Sequence, residues 1–199
     1  MKDSPNESSS LELFYPAPPG LPVPIKPKRG DSRVFQQIRS FDWNALGGSK
    51  NSDLLQAGAL WLHGFLPESH VIVQGNHTAE GSYWHALMHR SEGDFGNSMY
   101  WFRKVGKHAI FPELFIQVKS LRASSSEPSN PLKKTEDFFE WRPEWFVDLC
   151  ELGYRGQYKE LKLIREIAAI EYNLLMKYCL DLQGGNQGDP LANTSANKS

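Results

Sequence analysis

The stretch that decides the fold is YWHALMHRSEGDFGNSMYWFRKVGKH, which spans residues 83–108. Its apolar residues recur every three or four positions on both sides of Gly93, a spacing typical of amphipathic helices and not of strands. Glycine favours the left-handed backbone that commonly ends a helix, and Gly106 stops the second pattern in the same way. We therefore expect two antiparallel helices bent at Gly93, which bring polar groups from both into one neighbourhood.

Helical spacing continues on both sides of this stretch. The patterns predict further helices over residues 54–62, 67–74, 114–121, 143–152 and 157–182. The first of these has a candidate N-cap at Ser52 or Asp53. A faint repeat relates residues 58–73 to residues 86–106, because each segment has a glycine in its turn and a small residue, Ser69 or Ser98, near the start of its second helix. The sequence thus predicts an all-α fold, a single helical bundle of antiparallel helix hairpins that is loosely tetratricopeptide-like.

The ends of the chain differ in composition from its middle. Seven of the 13 prolines lie in the first 30 residues, and the last 16 residues are rich in Gly, Asn and Ser. We expect a disordered Pro-rich arm over residues 1–32, a helical domain over residues 33–183 and a disordered tail over residues 184–199. Within the arm, residues 16–24 favour a plain extended linker, with a ligand for an SH3-type domain as the alternative.

Composition excludes several classes of partner. The chain has 199 residues and a formal net charge of -1, too little field to attract nucleic acid or an anionic membrane. No apolar run is long enough to cross a bilayer, and the N-terminus lacks the apolar core of a signal peptide. Cys150 and Cys179 have the spacing of neither a zinc site nor a disulfide framework. We therefore expect a soluble, cytoplasmic protein that binds no nucleic acid and no membrane.

All six histidines lie between residues 63 and 108, and two of them have the spacing of metal ligands. His85 and His89 are four residues apart, which places both imidazoles on one helical face. His70 or Asp94 is a candidate third ligand, and the resulting nitrogen and oxygen set suits zinc, iron or manganese. On this hypothesis the protein is a metal-dependent enzyme in which Glu92 or Asp94 acts as a base.

Other features of the sequence argue against that hypothesis. The residue after His85 is Ala86, so the catalytic glutamate of the zinc-protease helix motif is missing. No Glu-x-x-His pair of the kind found in di-iron bundles is present either. The histidines therefore also fit a purely structural role as half-buried hydrogen-bonding groups. The sequence leaves open whether the protein is an enzyme.

The stretch of residues 83–108 resembles a family of uncharacterised proteins that share the signature YWHALMHRxEGDxxNSxYWFRKVGxH. The resemblance extends from about Leu54, through Ser69 and His70, to the last helix, and it brings no assigned activity. It implies that ten polar and aromatic residues match the pattern of the family: Trp84, His85, His89, Arg90, Glu92, Asp94, Asn97, Tyr100, Trp101 and His108.

These ten residues are our candidate ligand-binding set. One interpretation groups four of them around a pocket walled by two tryptophans: His85, His89, Arg90 and Tyr100, between Trp84 and Trp101. A second is structural and joins the charged residues in a network that ties the two helices, with Asp94 or Asn97 in the first turn of the second helix. Our preferred hypothesis is a helical domain that binds a protein partner or a small molecule through this His-, Arg- and Trp-rich surface.

Overall fold

The computed structural model describes residues 28–46, 51–123 and 138–184, and within these ranges it contains helices and no strand. The all-α prediction is confirmed. Eight α-helices follow one another in these ranges: α1 (Ser32–Ser40), α2 (Ser52–Leu62), α3 (Leu66–Val73), α4 (Ala79–Glu92), α5 (Phe95–Val105), α6 (Phe111–Ala123), α7 (Pro143–Tyr154) and α8 (Leu161–Gly184). A short 3-10 helix (Trp43–Leu46) lies between α1 and α2.

Helices α2 to α8 lie where the apolar spacing predicts them, whereas α1 and the 3-10 helix were not predicted. α1 buries only Ile38, so its apolar pattern is too short to stand out from the sequence. The predicted cap of α2 is wrong. Ser52 already belongs to the helix, and the N-cap residue is Asn51, whose side chain makes no capping hydrogen bond.

The hairpin of α4 and α5 turns at Gly93 as predicted. Thr78 caps α4 by accepting a hydrogen bond from the Gly81 amide at 3.0 Å. Gly93 follows the helix with a φ of 84°, in the left-handed region that favours glycine. Asp94 then accepts from the Asn97 amide at 3.1 Å and starts α5, which confirms its expected place in the first turn.

A serine near the start of the second helix closes each of two successive hairpins. The Ser69 hydroxyl on α3 donates to the Ala57 carbonyl on α2 at 2.7 Å, and the Ser98 hydroxyl on α5 donates to the Ala86 carbonyl on α4 at 2.9 Å. Ala57 and Ala86 are 29 positions apart in the sequence, and Ser69 and Ser98 are separated by the same 29 positions. The structure therefore contains an internal repeat with the small residues that the sequence indicated.

The turn glycines of the two hairpins are separated by the same 29 positions. Gly64 has a φ of 74° and Gly93, 29 positions later, has a φ of 84°. The unit is shorter than the roughly 34-residue tetratricopeptide unit. The repeat is an observation of the structure, while the tetratricopeptide likeness stays a prediction.

The long helix α8 holds the bundle together through a buried ion pair. Arg90 of α4 pairs with Glu171 of α8, and both side chains are at most 1% exposed. The Tyr83 hydroxyl donates to the same carboxylate at 3.0 Å, and the Arg90 guanidinium lies over the Phe146 ring at 4.4 Å. These contacts connect α4, α7 and α8 in the interior of the bundle.

The predicted arm and tail lie mostly outside the described residues. The described residues 28–31 contact the domain: Arg29 pairs with Glu68, and the Lys28 carbonyl lies against the Gly64 turn. No helix of the described ranges combines the length and the apolar character that a membrane span requires.

Removing the carboxylate of Glu171 should destabilise the protein strongly. Glu171→Ala leaves the Arg90 charge buried without its partner, which should lower the free energy of unfolding by about 3–5 kcal/mol. The matched control is Glu166→Ala, because Glu166 pairs with Lys162 at the surface of the same helix. The control should change stability by about 0.5 kcal/mol or less. Urea denaturation measures both, and equal losses would contradict the role assigned to the buried pair.

Candidate functional site

Three histidines from two helices meet in one cluster. His70 comes from α3, and His85 and His89 come from α4. One ring nitrogen from each residue lies within 4.8 Å of the other two. The Nε2 atoms of His70 and His85 are 2.8 Å apart. We call His70, His85 and His89 the histidine cluster.

The helical repeat of α4 explains why its two imidazoles are stacked. His85 and His89 lie one turn apart, with ring centroids separated by 4.9 Å and ring planes inclined by 15°. His70 meets both rings edge-on, at 4.6 Å from His85 and 5.4 Å from His89. The cluster therefore depends on the packing of α3 against α4.

Trp101 of α5 covers one side of the histidine cluster. Its ring stacks on His85 with a centroid distance of 3.9 Å and an angle of 17°. The Lys104 ammonium lies 5.1 Å from the centroids of both Trp101 and Tyr100. The exposed Tyr100 meets the Trp101 ring edge-on, with ring centroids 5.5 Å apart.

Two carboxylates lie beside His89. Its Nδ1 atom is 3.5 Å from Glu92 and 3.9 Å from Asp94, and both carboxylates are partly exposed. A carboxylate at one imidazole nitrogen orients the ring and makes the other nitrogen a better metal ligand. The arrangement leaves Nε2 of His89 available for such a bond.

Burial keeps the imidazoles of α4 neutral. Burial first, then the neighbouring His89 and His70, lowers the pKa of His85 from 6.5 to about 4. Burial also lowers the pKa of His89, although Glu92 and Asp94 act in the opposite direction. At neutral pH both rings therefore have the unprotonated nitrogen that a metal requires.

The spacing of the histidine cluster fits a bound transition metal. Two nitrogens on one tetrahedral zinc lie about 3.3 Å apart, given Zn–N bonds of about 2.0–2.1 Å. The observed spacings, from 2.8 to 4.8 Å, bracket that value, so small ring movements suffice. The Nδ1 atoms of His85 and His89 are buried and make no hydrogen bond to the described part of the chain, but Nδ1 of His89 faces Glu92 and Asp94 and is not the nitrogen that would bind the ion.

Two residues of the expected pocket belong to the core instead. Trp84 is fully buried and contacts Trp61 and Tyr172. Arg90 is fully buried and pairs with Glu171, so it cannot hold a ligand beside the histidines. The pocket is therefore not assembled as expected, because α4 directs these side chains to a different face from His85 and His89.

The structure also corrects the expected charge network. Arg90 contacts neither Glu92 nor Asp94 by an ion pair, since those carboxylates face His89 while the guanidinium faces α8. The partner that sequence reasoning missed is Glu171. A signal was available, because this acid interrupts the apolar stripe of the last helix.

Two other candidate residues lie away from the histidine cluster. His108 is buried against Tyr83 and Tyr178, and its Nε2 atom is 3.9 Å from Glu80. The Asn97 amide groups bind Asp94 at the start of α5. These residues contribute to the packing and capping of the helices around the cluster.

Comparison with known proteins adds no relative. No protein-family model, curated protein or solved structure matches the chain. The geometry of the side chains therefore carries the functional argument.

The histidine cluster should make the metal-free protein sensitive to mild acid. His85 has a lower pKa in the folded chain than its usual 6.5, so its contribution to stability is present above pH 6.5 and is lost as the pH falls towards 4. The loss should reach about 3 kcal/mol near pH 4. Burial lowers the pKa values of His89 and His108 as well, and both add to the same trend.

Urea denaturation of chelator-treated protein at pH 7 and pH 5 measures this loss. His85→Gln should flatten the pH dependence, whereas His77→Gln, at an exposed position, should leave it unchanged. A wild-type protein with equal stability at both pH values would contradict the buried, neutral state of His85.

Proposed function

We propose that the domain binds a divalent transition metal through His70, His85 and His89 and uses the metal to hold a small polar ligand or water. The observation that supports this most directly is the meeting of three imidazole nitrogens within 4.8 Å. Three protein ligands leave a coordination position open, as in catalytic zinc sites. We therefore prefer the metal-dependent hypothesis to the hypothesis that the surface binds its ligand without a metal.

The chemistry of the cluster limits the choice of metal. Imidazole nitrogens suit zinc, iron, copper and nickel, and nearby carboxylates extend the set to manganese. Neutral, buried rings can bind such an ion near pH 7 without first losing a proton from an imidazolium. We propose zinc or iron as the resident ion, with manganese as the third choice.

The surroundings of the cluster would orient a metal ligand. Glu92 and Asp94 lie within 4 Å of Nδ1 of His89, so they would orient the ring whose other nitrogen binds the metal. The metal itself would lower the pKa of a bound water and so supply a nucleophile. Trp101 covers the opposite side of the cluster and limits access to it. Such a site is suited to metal-assisted addition of water to a small polar substrate.

A purely structural role is the main rival. The contact of 2.8 Å between His70 and His85 is also the length of an ordinary hydrogen bond between two neutral imidazoles. A structural role accounts less well for the positions of Glu92 and Asp94. Both carboxylates lie near Nδ1 of His89 but form no close hydrogen bond with it. We place the proposed site in the cytoplasm, since two free, buried cysteines suit a reducing compartment.

Purified protein should carry about one metal ion per chain, because three ligands converge on one point. Elemental analysis measures the occupancy. Added zinc should also raise the melting temperature of chelator-treated protein, since a ligand that binds the folded state stabilises it. His89→Gln should abolish both effects.

The matched control for this test is His77→Gln, because that histidine is exposed and lies outside the cluster. It should retain full metal content. Protein that is free of metal, and whose melting temperature is unchanged by zinc, iron and manganese, would exclude the proposed function and favour the structural rival.

Glu92→Gln should weaken the metal site without removing it. Loss of the carboxylate beside Nδ1 of His89 typically raises the metal dissociation constant about 10–100-fold. Competition with a chromogenic chelator measures this change, and saturating metal should restore full occupancy. Glu113→Gln is the control, because Glu113 lies on α6 outside the cluster. An unchanged dissociation constant would contradict the orienting role of Glu92.

A further inference from the structure

A lysine lies against the tryptophan that covers the histidine cluster. The Lys104 ammonium is 5.1 Å from the ring centroids of both Tyr100 and Trp101. Lys104 is exposed, and no carboxylate of the described ranges pairs with it. Its charge is therefore free to pair with an anionic group from outside the chain.

The two rings beside this ammonium form an open aromatic corner. Tyr100 is 45% exposed and meets the half-buried Trp101 at an interplanar angle of 81°. Trp101 in turn stacks on His85 at a centroid distance of 3.9 Å. A planar apolar group that packs in this corner gains aromatic contact and lies close to the histidine cluster.

The charge of a metal-loaded cluster favours an anion. All three of its ligands are imidazoles, and burial lowers the pKa values of His85 and His89, so both stay neutral at pH 7. Neutral ligands leave a divalent ion with its full positive charge, which is then the largest charge of the site. A negative group nearby is therefore attracted to the cluster.

The two carboxylates of the site restrict where this anion lies. Glu92 and Asp94 lie beside Nδ1 of His89, and both repel a negative group on that side. Lys104 has the opposite charge and contacts Trp101, which stacks on His85. The charges therefore favour an anion on the side of Trp101 and Lys104.

We propose that the substrates of the metal-loaded site are small carboxylates that carry a planar apolar group. Lys104 pairs with the carboxylate, and Tyr100 and Trp101 hold the planar group. This inference rests on the proposed function, because the metal supplies the second positive charge. Lys104 is thus the specificity-determining residue that selects anionic substrates over neutral ones.

The test measures the binding of benzoate to the full-length, zinc-loaded protein by isothermal titration calorimetry. Lys104→Met removes the charge and keeps most of the side-chain length, so it should raise the dissociation constant of benzoate about five- to tenfold. The matched control is Lys119→Met, because the Lys119 ammonium lies 4.8 Å from the Phe115 ring on α6, outside the cluster. The control should leave the dissociation constant unchanged.

Two further probes separate the charge of the ligand from its ring. Benzamide has the ring without the charge, so Lys104→Met should leave its weak binding unchanged. Acetate has the charge without the ring, so Tyr100→Ala should weaken the binding of benzoate and leave that of acetate unchanged.

Elemental analysis of each protein distinguishes failure of this inference from failure of the proposed function. Zinc-loaded protein that binds benzoate equally well in the wild type and in Lys104→Met would overturn this inference alone. Equal losses in Lys104→Met and Lys119→Met would also overturn it, as would benzoate binding that is the same without zinc. A protein that holds no zinc, iron or manganese would overturn the proposed function and this inference with it.

Discussion

Helix α4 is buried on every face from Gly81 to Ser91, so none of its polar side chains can rely on water for its hydrogen bonds. A buried polar group without a partner destabilises the fold by a few kcal/mol, and a buried unpaired charge does so by more. Each polar residue of α4 therefore requires a partner on a neighbouring helix. Arg90 pairs with Glu171 of α8, Ser91 bonds Trp61 of α2, and the histidines meet His70 of α3. These contacts fix the positions of α2, α3 and α8 relative to α4.

The fold was largely predictable, because apolar spacing reports which face of a helix is buried. Seven helices and the turn at Gly93 follow from that spacing and from glycine. The short helix α1 does not, since it buries a single residue completely. The site was predictable only in part. The spacing of His85 and His89 predicted that both lie on one face of a helix. The sequence also offered His70 as a candidate third ligand beside them. It could not show that Arg90 faces α8, because a buried helix has no polar face to mark its orientation.

The internal repeat shows which residues were needed for the hairpins and which were not. The serine bonds and the turn glycines recur after 29 positions, so they belong to the shared hairpin geometry. The histidines do not recur. The positions equivalent to His85 and His89 in the first hairpin are Gln56 and Leu60, and the position equivalent to His70 in the second is Met99. Packing two hairpins together thus does not in itself require imidazoles, and the cluster is an addition at their junction.

The energetics of the cluster favour a role beyond packing. Its two rings on α4 have lowered pKa values, so the folded protein holds them neutral against their tendency to protonate in weak acid. A leucine, as at the position equivalent to His89, would fill similar space with no such sensitivity. The imidazoles are also paired with one another, which leaves nitrogens of His85 and His89 without hydrogen bonds in the described part of the chain. On the proposed function, a metal ion would bond one nitrogen of each ring, and Nδ1 of His89 would remain beside Glu92 and Asp94.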